Sequence, residues 1–519
     1  MNAAQVQALA TPELVCSILD ALLFEQVAQV LGVNKLFFRV GTPFIWGDLK
    51  GLDPLLSLLC QEPLPPLPRN SWVEVRLNKD DVAAGMPRLV LYARLVHKLQ
   101  AYRNSTRGYC WRGLCHLIPF APLLPHMNEL SFKWRCDNSH SEGFSELVSL
   151  LCSSSCTIIR SQTSAARSVP WMTTSHSLRA LSALQSCAAN LTTLDFFVKA
   201  DIPSWSGWSE LAAGLAEMAA LHSLGLGVDT LSQQVLAAIG QLPLLKLLTL
   251  RFHRFAQPGL RDLNVSSSWF QQLSNLAVYS ASAESLFHLV QHRPLISGLQ
   301  SAFLEVTEGS RIDRLLERAF QMLCDHAPRL DMLEICFPDN GDDAYEMRSQ
   351  NLMPILSQIP LKKLALQNVY VSSDEVLEDF FWGCSIWQGS MTHLLMPCQI
   401  VTAAGLQALA GFHLLKVLCV NLDDNSPAPE VNPTLPPINH KALRLESHFL
   451  LHKLLPDQVE ALAWFLLSCW GDVTVVMTRL PLDQEDKKDR LDYWVYRHLL
   501  HKLAAIKGRK PSEDTAVWK

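Results

Sequence analysis

The feature that most constrains this chain is a short pattern that keeps returning, with apolar residues at positions one, four and six of a hexad. It is plainest at Leu191-Leu194-Phe196, Leu221-Leu224-Leu226, Leu245-Leu248-Leu250, Leu330-Leu333-Ile335, Leu361-Leu364-Leu366 and Leu415-Leu418-Val420. Weaker copies are Met127-Leu130-Phe132, Leu273-Leu276-Val278, Leu299-Ala302-Leu304 and Met391-Leu394-Met396. Their central positions 194, 224, 248, 276, 302, 333, 364, 394 and 418 lie 24 to 31 residues apart, and the longer gap from Leu130 to Leu194 leaves room for a degenerate copy near Ile158-Ile159. A strand this short cannot bury its apolar side alone, so the copies must stack. Between them run amphipathic, helix-compatible segments at 208–219, 233–239, 283–291, 312–323 and 374–381. Strand-helix units of this kind can build a parallel sheet lined by helices.

In this pattern the body resembles leucine-rich-repeat proteins over most of residues 120–425, although the Asn or Cys that usually follows the strand motif in that family is mostly missing. A doubly wound α/β domain, whose buried strands are also apolar, stands as the alternative fold. The leucines of such a strand face the core, so the residues flanking the central one point onto the concave sheet face. That rule selects Asp195, Phe197, Arg251, Tyr279, Phe303, Glu305, Glu334, Gln367 and Asn421 as candidate target-binding residues. The row mixes aromatics with both charge signs, a composition typical of interface hot spots. Its alternatives are that the aromatics fill an imperfect core or that a C-terminal segment folds over them.

Ahead of the repeats, Thr11-Pro12-Glu13 reads as a helix opening, with Thr11 as cap, Pro12 in the first turn and Glu13 at the positive end of the dipole. Leu14, Ile18 and Leu22 recur at helical spacing, flanked by Val15, Leu19 and Leu23. A second helical stretch runs from Glu25 through Leu31, and Gly41-Thr42-Pro43 predicts a turn leading into Phe44 to Leu49. The order Pro12-Glu13-Leu14, Ile18-Leu19, Leu22, Val27, Val33-Asn34-Lys35, Phe37, Trp46 and Leu49 resembles an F-box. Thr11 departs from the Leu common in that family, and Leu23 to Gln26 lacks its Asp/Ser-rich turn. The resemblance implies that Pro12, Leu14, Ile18, Leu19, Leu22, Val27, Val33, Phe37 and Trp46 dock a Skp-type adaptor, linking the chain to a cullin-RING ubiquitin ligase. The plain alternative is that these apolar residues pack against the body of the protein.

The expected fold class is α/β: a short all-α, F-box-like three-helix segment (8–50) followed by a leucine-rich-repeat-like strand-helix solenoid. A linker and a helix leading into the body (51–118) precede the repeat body (119–425), a Pro-rich loop (426–440) and a C-terminal repeat or capping segment (441–519). The linker contains the stiff stretch Glu62 to Pro68, and the leading helix is drawn by Leu89, Leu91, Leu95 and Leu99. Leu491, Val495, Leu499, Leu503 and Ile506 predict a terminal helix that caps the array.

Composition narrows the function. At 519 residues and 49% hydrophobic, the chain is longer than one ordinary core needs, and its net charge of -5 argues against nucleic acid. The 14 cysteines have no framework spacing and no cation precedes Lys35, so free thiols in the cytoplasm or nucleus are expected, with no membrane partner. Cys110 with Cys115-His116, and Cys152 with Cys156, lack a second pair at zinc spacing, so no metal is expected. Phosphate-binding glycine loops, His-Glu-x-x-His and nucleophile elbows are absent from the sequence, which predicts a non-catalytic chain without a cofactor. The sequence therefore points to a substrate-recognition adaptor, or alternatively to a ligase-independent interaction scaffold with a helical cap.

Overall fold

The computed structural model describes residues 11–59, 73–75, 79–101, 107–109, 122–132, 148–161, 172–199, 207–252, 260–307, 312–337, 345–346, 352–370, 380–422, 438–447, 456–477 and 499–507. The stretches 62–68, 110–116, 374–379, 426–437 and 491–498, on which several sequence expectations fall, lie outside the described residues. The chain divides into two compact units, Met1–Pro258 with Ser268–Gln272, and Gly259–Ser267 with Leu273–Lys519.

The first unit opens with three helices, Pro12–Asp20, Phe24–Val30 and Lys35–Trp46. Thr11 occupies the cap position of the first, but its hydroxyl makes no capping bond; the first turn closes through the Thr11 carbonyl and Val15 N–H at 3.1 Å. Gln26 caps the second, its Oε1 accepting from Leu23 N–H at 2.9 Å. Asn34 caps the third, its Oδ1 accepting from Leu36 N–H at 2.8 Å and Phe37 N–H at 2.9 Å. The turn expected at Gly41-Thr42-Pro43 is not formed, because the third helix runs through it. Two local contacts lie at this point. The Thr42 hydroxyl donates to the Phe38 carbonyl, and Gly41 lets the helix settle where a Cβ would stand 2.4 Å from a Leu31 methyl. Val15, Leu19, Val27 and Phe37 close a small core of their own.

Behind the helices, the strands Asp48–Leu49, Lys98–Ala101, Glu129–Phe132, Ile158–Ser161, Thr193–Phe196, Ser223–Gly227 and Leu247–Arg251 follow one another in a parallel sheet. The degenerate copy near Ile158-Ile159 is thus a strand. The array also starts earlier than expected. Leu89 and Leu91 lie in a helix, Lys79–Ala93, whereas Leu99 is already a strand residue.

The second unit carries Asn275–Ser282, Ser301–Thr307, Met332–Cys336, Lys363–Gln367, His393–Val401, Val417–Leu422, Asn439–Ser447 and Trp470–Met477, again parallel and in chain order. Two of these strands lie beyond residue 425. The helix Pro456–Cys469 joins them, and a helical segment at 499–506 buries Leu499 and Leu503. Lys502 pairs with Glu460, and Lys507 with Asp472.

Sequential parallel pairing with intervening helices is a repeat array, not a doubly wound sheet, whose strand order would reverse. The hexad residues are its core: Leu194, Leu224, Leu248, Leu276, Leu333, Leu364, Leu394 and Leu418 are all buried. A second device holds the register. At the start of most strands one carbonyl of the preceding repeat accepts two consecutive N–H groups of the next. In the first unit the Thr157 carbonyl takes Thr192 N–H at 2.8 Å and Thr193 N–H at 3.2 Å, and the Thr192 carbonyl takes His222 and Ser223. In the second, the Gln300, Asp331 and Lys362 carbonyls do the same for Asp331-Met332, Lys362-Lys363 and Thr392-His393.

Candidate functional site

Three surfaces collect the candidate residues. On the three-helix segment, Leu19, Val27 and Phe37 are the segment's own core, so the expectation that they form a docking surface is corrected: the helices need them to hold together. Leu14 is 47% exposed, Ile18 39% and Val33 64%, and Pro12 is also exposed. Leu22 is half-buried against the small core. Trp46 is half-buried and stacks on Tyr92 of the helix Lys79–Ala93, with ring centroids 4.5 Å apart, so it joins the segment to the body. Leu23, which flanks the helical stripe, is exposed as well, and Phe38 and Phe44 are exposed apolar residues that helical spacing did not single out. Six of the thirteen large exposed hydrophobics among the described residues therefore lie between positions 14 and 44.

On the sheet face of the first unit, the expected target-binding residues are enclosed more than the strand rule implies. Phe197 is 3% exposed and Arg251 7%, so both are corrected from exposed contacts to buried ones. The cause is local. Gly225 has no side chain, and the Asp195 carboxylate and the Phe197 ring occupy the space a Cβ would take. The Arg251 guanidinium lies 5.1 Å from the Phe197 ring centroid. Asp195 accepts from Ser161 N–H at 2.8 Å. Burial raises its carboxyl above the usual range, outweighing that hydrogen bond and the charges of Arg251 and Arg160. Glu129, which the sequence did not nominate, is buried between Lys98, 3.5 Å away, and Arg160. Groups of alternating sign, Lys98, Glu129, Arg160, Asp195 and Arg251, thus line this face: Glu129 pairs with Lys98 and Arg160, and the charges of Arg160 and Arg251 act on Asp195.

The sheet face of the second unit is more open. Burial alternates along Ser301–Thr307, with Ala302, Leu304 and Val306 in the core and Phe303 and Glu305 half-buried on the other side. Phe303 stands level with Glu334 on the next strand, and Glu305 with Cys336 and then Gln367. Tyr279 tilts onto Phe303, with centroids 4.8 Å apart. It reaches that position because Ser280 takes a left-handed backbone conformation, φ 56°, at a bulge in its strand. Ser280 Oγ donates to Glu305 at 3.2 Å, Gln367 Nε2 to Glu334 at 2.6 Å, and Lys363 Nζ lies 3.5 Å from Glu334. Burial, then the charges of Glu305 and Glu334, push the Cys336 thiol up to about 11. His393, two strands along, is held below its ordinary value by burial and by Lys363 and Lys416, which favours its neutral form. Asn421 is half-buried on the same face.

Cys152 and Cys156 are free buried thiols, and among the described residues no group of His, Cys, Asp and Glu side chains could hold a metal. No helix of the described residues is long and apolar enough to cross a membrane.

The fold is leucine-rich-repeat-like, with a three-helix segment at its N-terminal side. No family model matches the chain, and no curated protein matches it. Among solved structures it is similar to an internalin from Listeria monocytogenes, 14% identical, with 64% of this chain and 84% of that one covered and a TM-score of 0.27. It is also similar to the leucine-rich repeat-containing protein LegL7 from Legionella pneumophila, 16% identical, with 63% and 94% covered and a TM-score of 0.31.

Proposed function

We propose that this chain is a non-catalytic substrate-recognition adaptor of a Skp-cullin-F-box ubiquitin ligase in the cytoplasm or nucleus, with the three-helix segment docking the Skp-type adaptor and the repeat body holding a protein target. The observation that carries the reading is the exposed apolar set Leu14, Ile18, Val33, Phe38 and Phe44 on a segment whose core is already closed without them. Exposed apolar residues gathered in one short segment are characteristic of interaction sites. The test is recovery of a Skp-type adaptor by the full chain. Leu14→Asp with Ile18→Asp should abolish recovery while changing stability by no more than about 0.5 kcal/mol, as exposed positions do. Undiminished recovery by that double variant, or none by the wild type, sinks the proposal.

A second reading has one observation in its favour. Trp46 stacks on Tyr92, and the Gly47 carbonyl accepts from both His97 and Lys98, at 3.0 and 2.9 Å, so the segment also supplies the first rung of the array. A ligase-independent scaffold would use the segment only as that cap. Under the scaffold reading, removing residues 1–46 should leave target capture weakened through instability of the first unit, and no Skp-type adaptor should bind at any stage.

A further inference from the structure

We infer that the open sheet face of the second unit is a docking surface for a basic protein segment, in which Phe303 with Tyr279, between the carboxylates of Glu305 and Glu334, receives one arginine or lysine side chain. The inference rests on the reading of the repeat body as a target-binding surface and adds the chemistry of what it takes.

Charge complementarity selects the occupant. On the described residues of the four strands Asn275–Ser282, Ser301–Thr307, Met332–Cys336 and Lys363–Gln367, the side chains placed with Phe303 on this face include two carboxylates, Glu305 and Glu334, against one cation, Lys363. The local balance is negative. The carboxylates are also differently placed: Glu334 is directly level with Phe303, and Glu305 is two residues further along the same strand as the ring. A cation resting on the ring therefore meets a carboxylate to one side and another beyond it. A planar guanidinium answers both demands at once, because it stacks on an aromatic face and donates in a fork to carboxylate oxygens.

The rest of the patch agrees. Met332, 41% exposed on the next strand, and half-buried Leu395, level with Phe303 three strands along, give apolar contact for the neighbours of the basic residue. Cys336, standing between Glu305 and Gln367, is a neutral thiol at physiological pH and adds no competing charge. Gln367 orients Glu334 through its 2.6 Å bond, and Ser280 orients Glu305. Both acids are thus positioned before a partner arrives, which lowers the cost of binding. An acidic segment would meet like charge, and a purely apolar one would desolvate the two carboxylates while adding no donor to those that Gln367, Lys363 and Ser280 already supply.

The experiment titrates the full chain with a fluorescein-labelled peptide, Gly-Ser-Gly-Leu-Arg-Leu-Gly-Ser-Gly, and with versions in which citrulline or glutamate replaces the arginine. Citrulline keeps the shape and removes the charge. The arginine peptide should bind about tenfold more tightly than the citrulline peptide, and the glutamate peptide more weakly still. Glu305→Gln with Glu334→Gln, which preserves shape and should leave the melting temperature unchanged, should bring arginine and citrulline to within about twofold of each other. Phe303→Leu should weaken arginine binding while keeping the order of the three peptides. Equal binding of arginine and citrulline by the wild type, no arginine binding up to about 1 mM, or an arginine preference that survives the double Gln variant each overturns the inference. Capture of protein partners from cell extract separates this from the broader reading. If the double variant retrieves the same proteins as the wild type, the cation site is wrong and target binding by the body stands. If the wild type retrieves none, target binding by the body fails instead.

Discussion

Asp195 shows how a residue chosen for a surface can become part of the scaffold. Its neutral form is favoured in the fold, so the stability it lends is complete below the ordinary carboxylate value of 3.8 and is lost as pH rises through the higher folded value. Asp195→Asn imitates the protonated acid, so its melting temperature should gain on the wild type as pH is raised from about 4 to about 7. A constant difference across that range would contradict the assignment. Burial likewise holds the thiols of Cys187, Cys419 and Cys469 up to about 12, so iodoacetamide at about pH 8 should leave all three unmodified in the native protein, as read by mass spectrometry. Trp387 is wholly buried, and its Nε1 donates to the Ile359 carbonyl at 3.0 Å. Trp387→Phe should cost about 2 kcal/mol by leaving that carbonyl unanswered, measurable by denaturant unfolding.

At the scale of elements, most strands were legible because a leucine at the central hexad position is a strong and countable signal. Two of the strands that escaped keep the same one-four-six frame with other residues: Val96, Leu99 and Ala101 at one end of the chain, Trp470, Val473 and Val475 at the other, all buried. Burial selects for volume and not for leucine as such, so a search by residue type loses them. The candidate docking helices were half legible. Periodicity finds an apolar stripe, but it cannot say which edge of the stripe closes the segment's own core, and so Leu19 and Phe37 were grouped with Leu14 and Ile18. Close backbone approach was not legible at all. At Gly85, in the helix Lys79–Ala93, an added Cβ would stand 2.4 Å from the Leu58 carbonyl oxygen and 2.6 Å from Leu59 Cα. Both are backbone atoms, which cannot rotate away, so Gly85→Ala should destabilise by about 2 kcal/mol despite its better helix propensity. A neutral or stabilising result in thermal melts would show that the helix can shift.

At the scale of the whole molecule, each repeat buries only what its neighbours cover, so the last repeat needs a lid. Leu499 and Leu503 are buried, and Lys502 and Lys507 tie their segment to Glu460 and Asp472. Deleting residues 499–519 should destabilise the second unit by about 3 kcal/mol and speed amide exchange along Trp470–Met477. Unchanged exchange in that strand would remove the capping role.

The rungs at the strand starts have a consequence for how such a chain can change. Fifty residues separate the carbonyl of Gly47 from the next anchor at His97, whereas thirty separate Thr192 from His222, yet each accepts the same pair of N–H groups. In both of these rungs the N–H and carbonyl groups suffice, whereas elsewhere the hydroxyls of Thr157, Thr192 and Thr392 add a bond to the rung carbonyl. Strand alignment at these points is therefore largely independent of side-chain identity, and a lineage can rewrite a displayed residue that holds no main-chain group without renegotiating the frame that displays it.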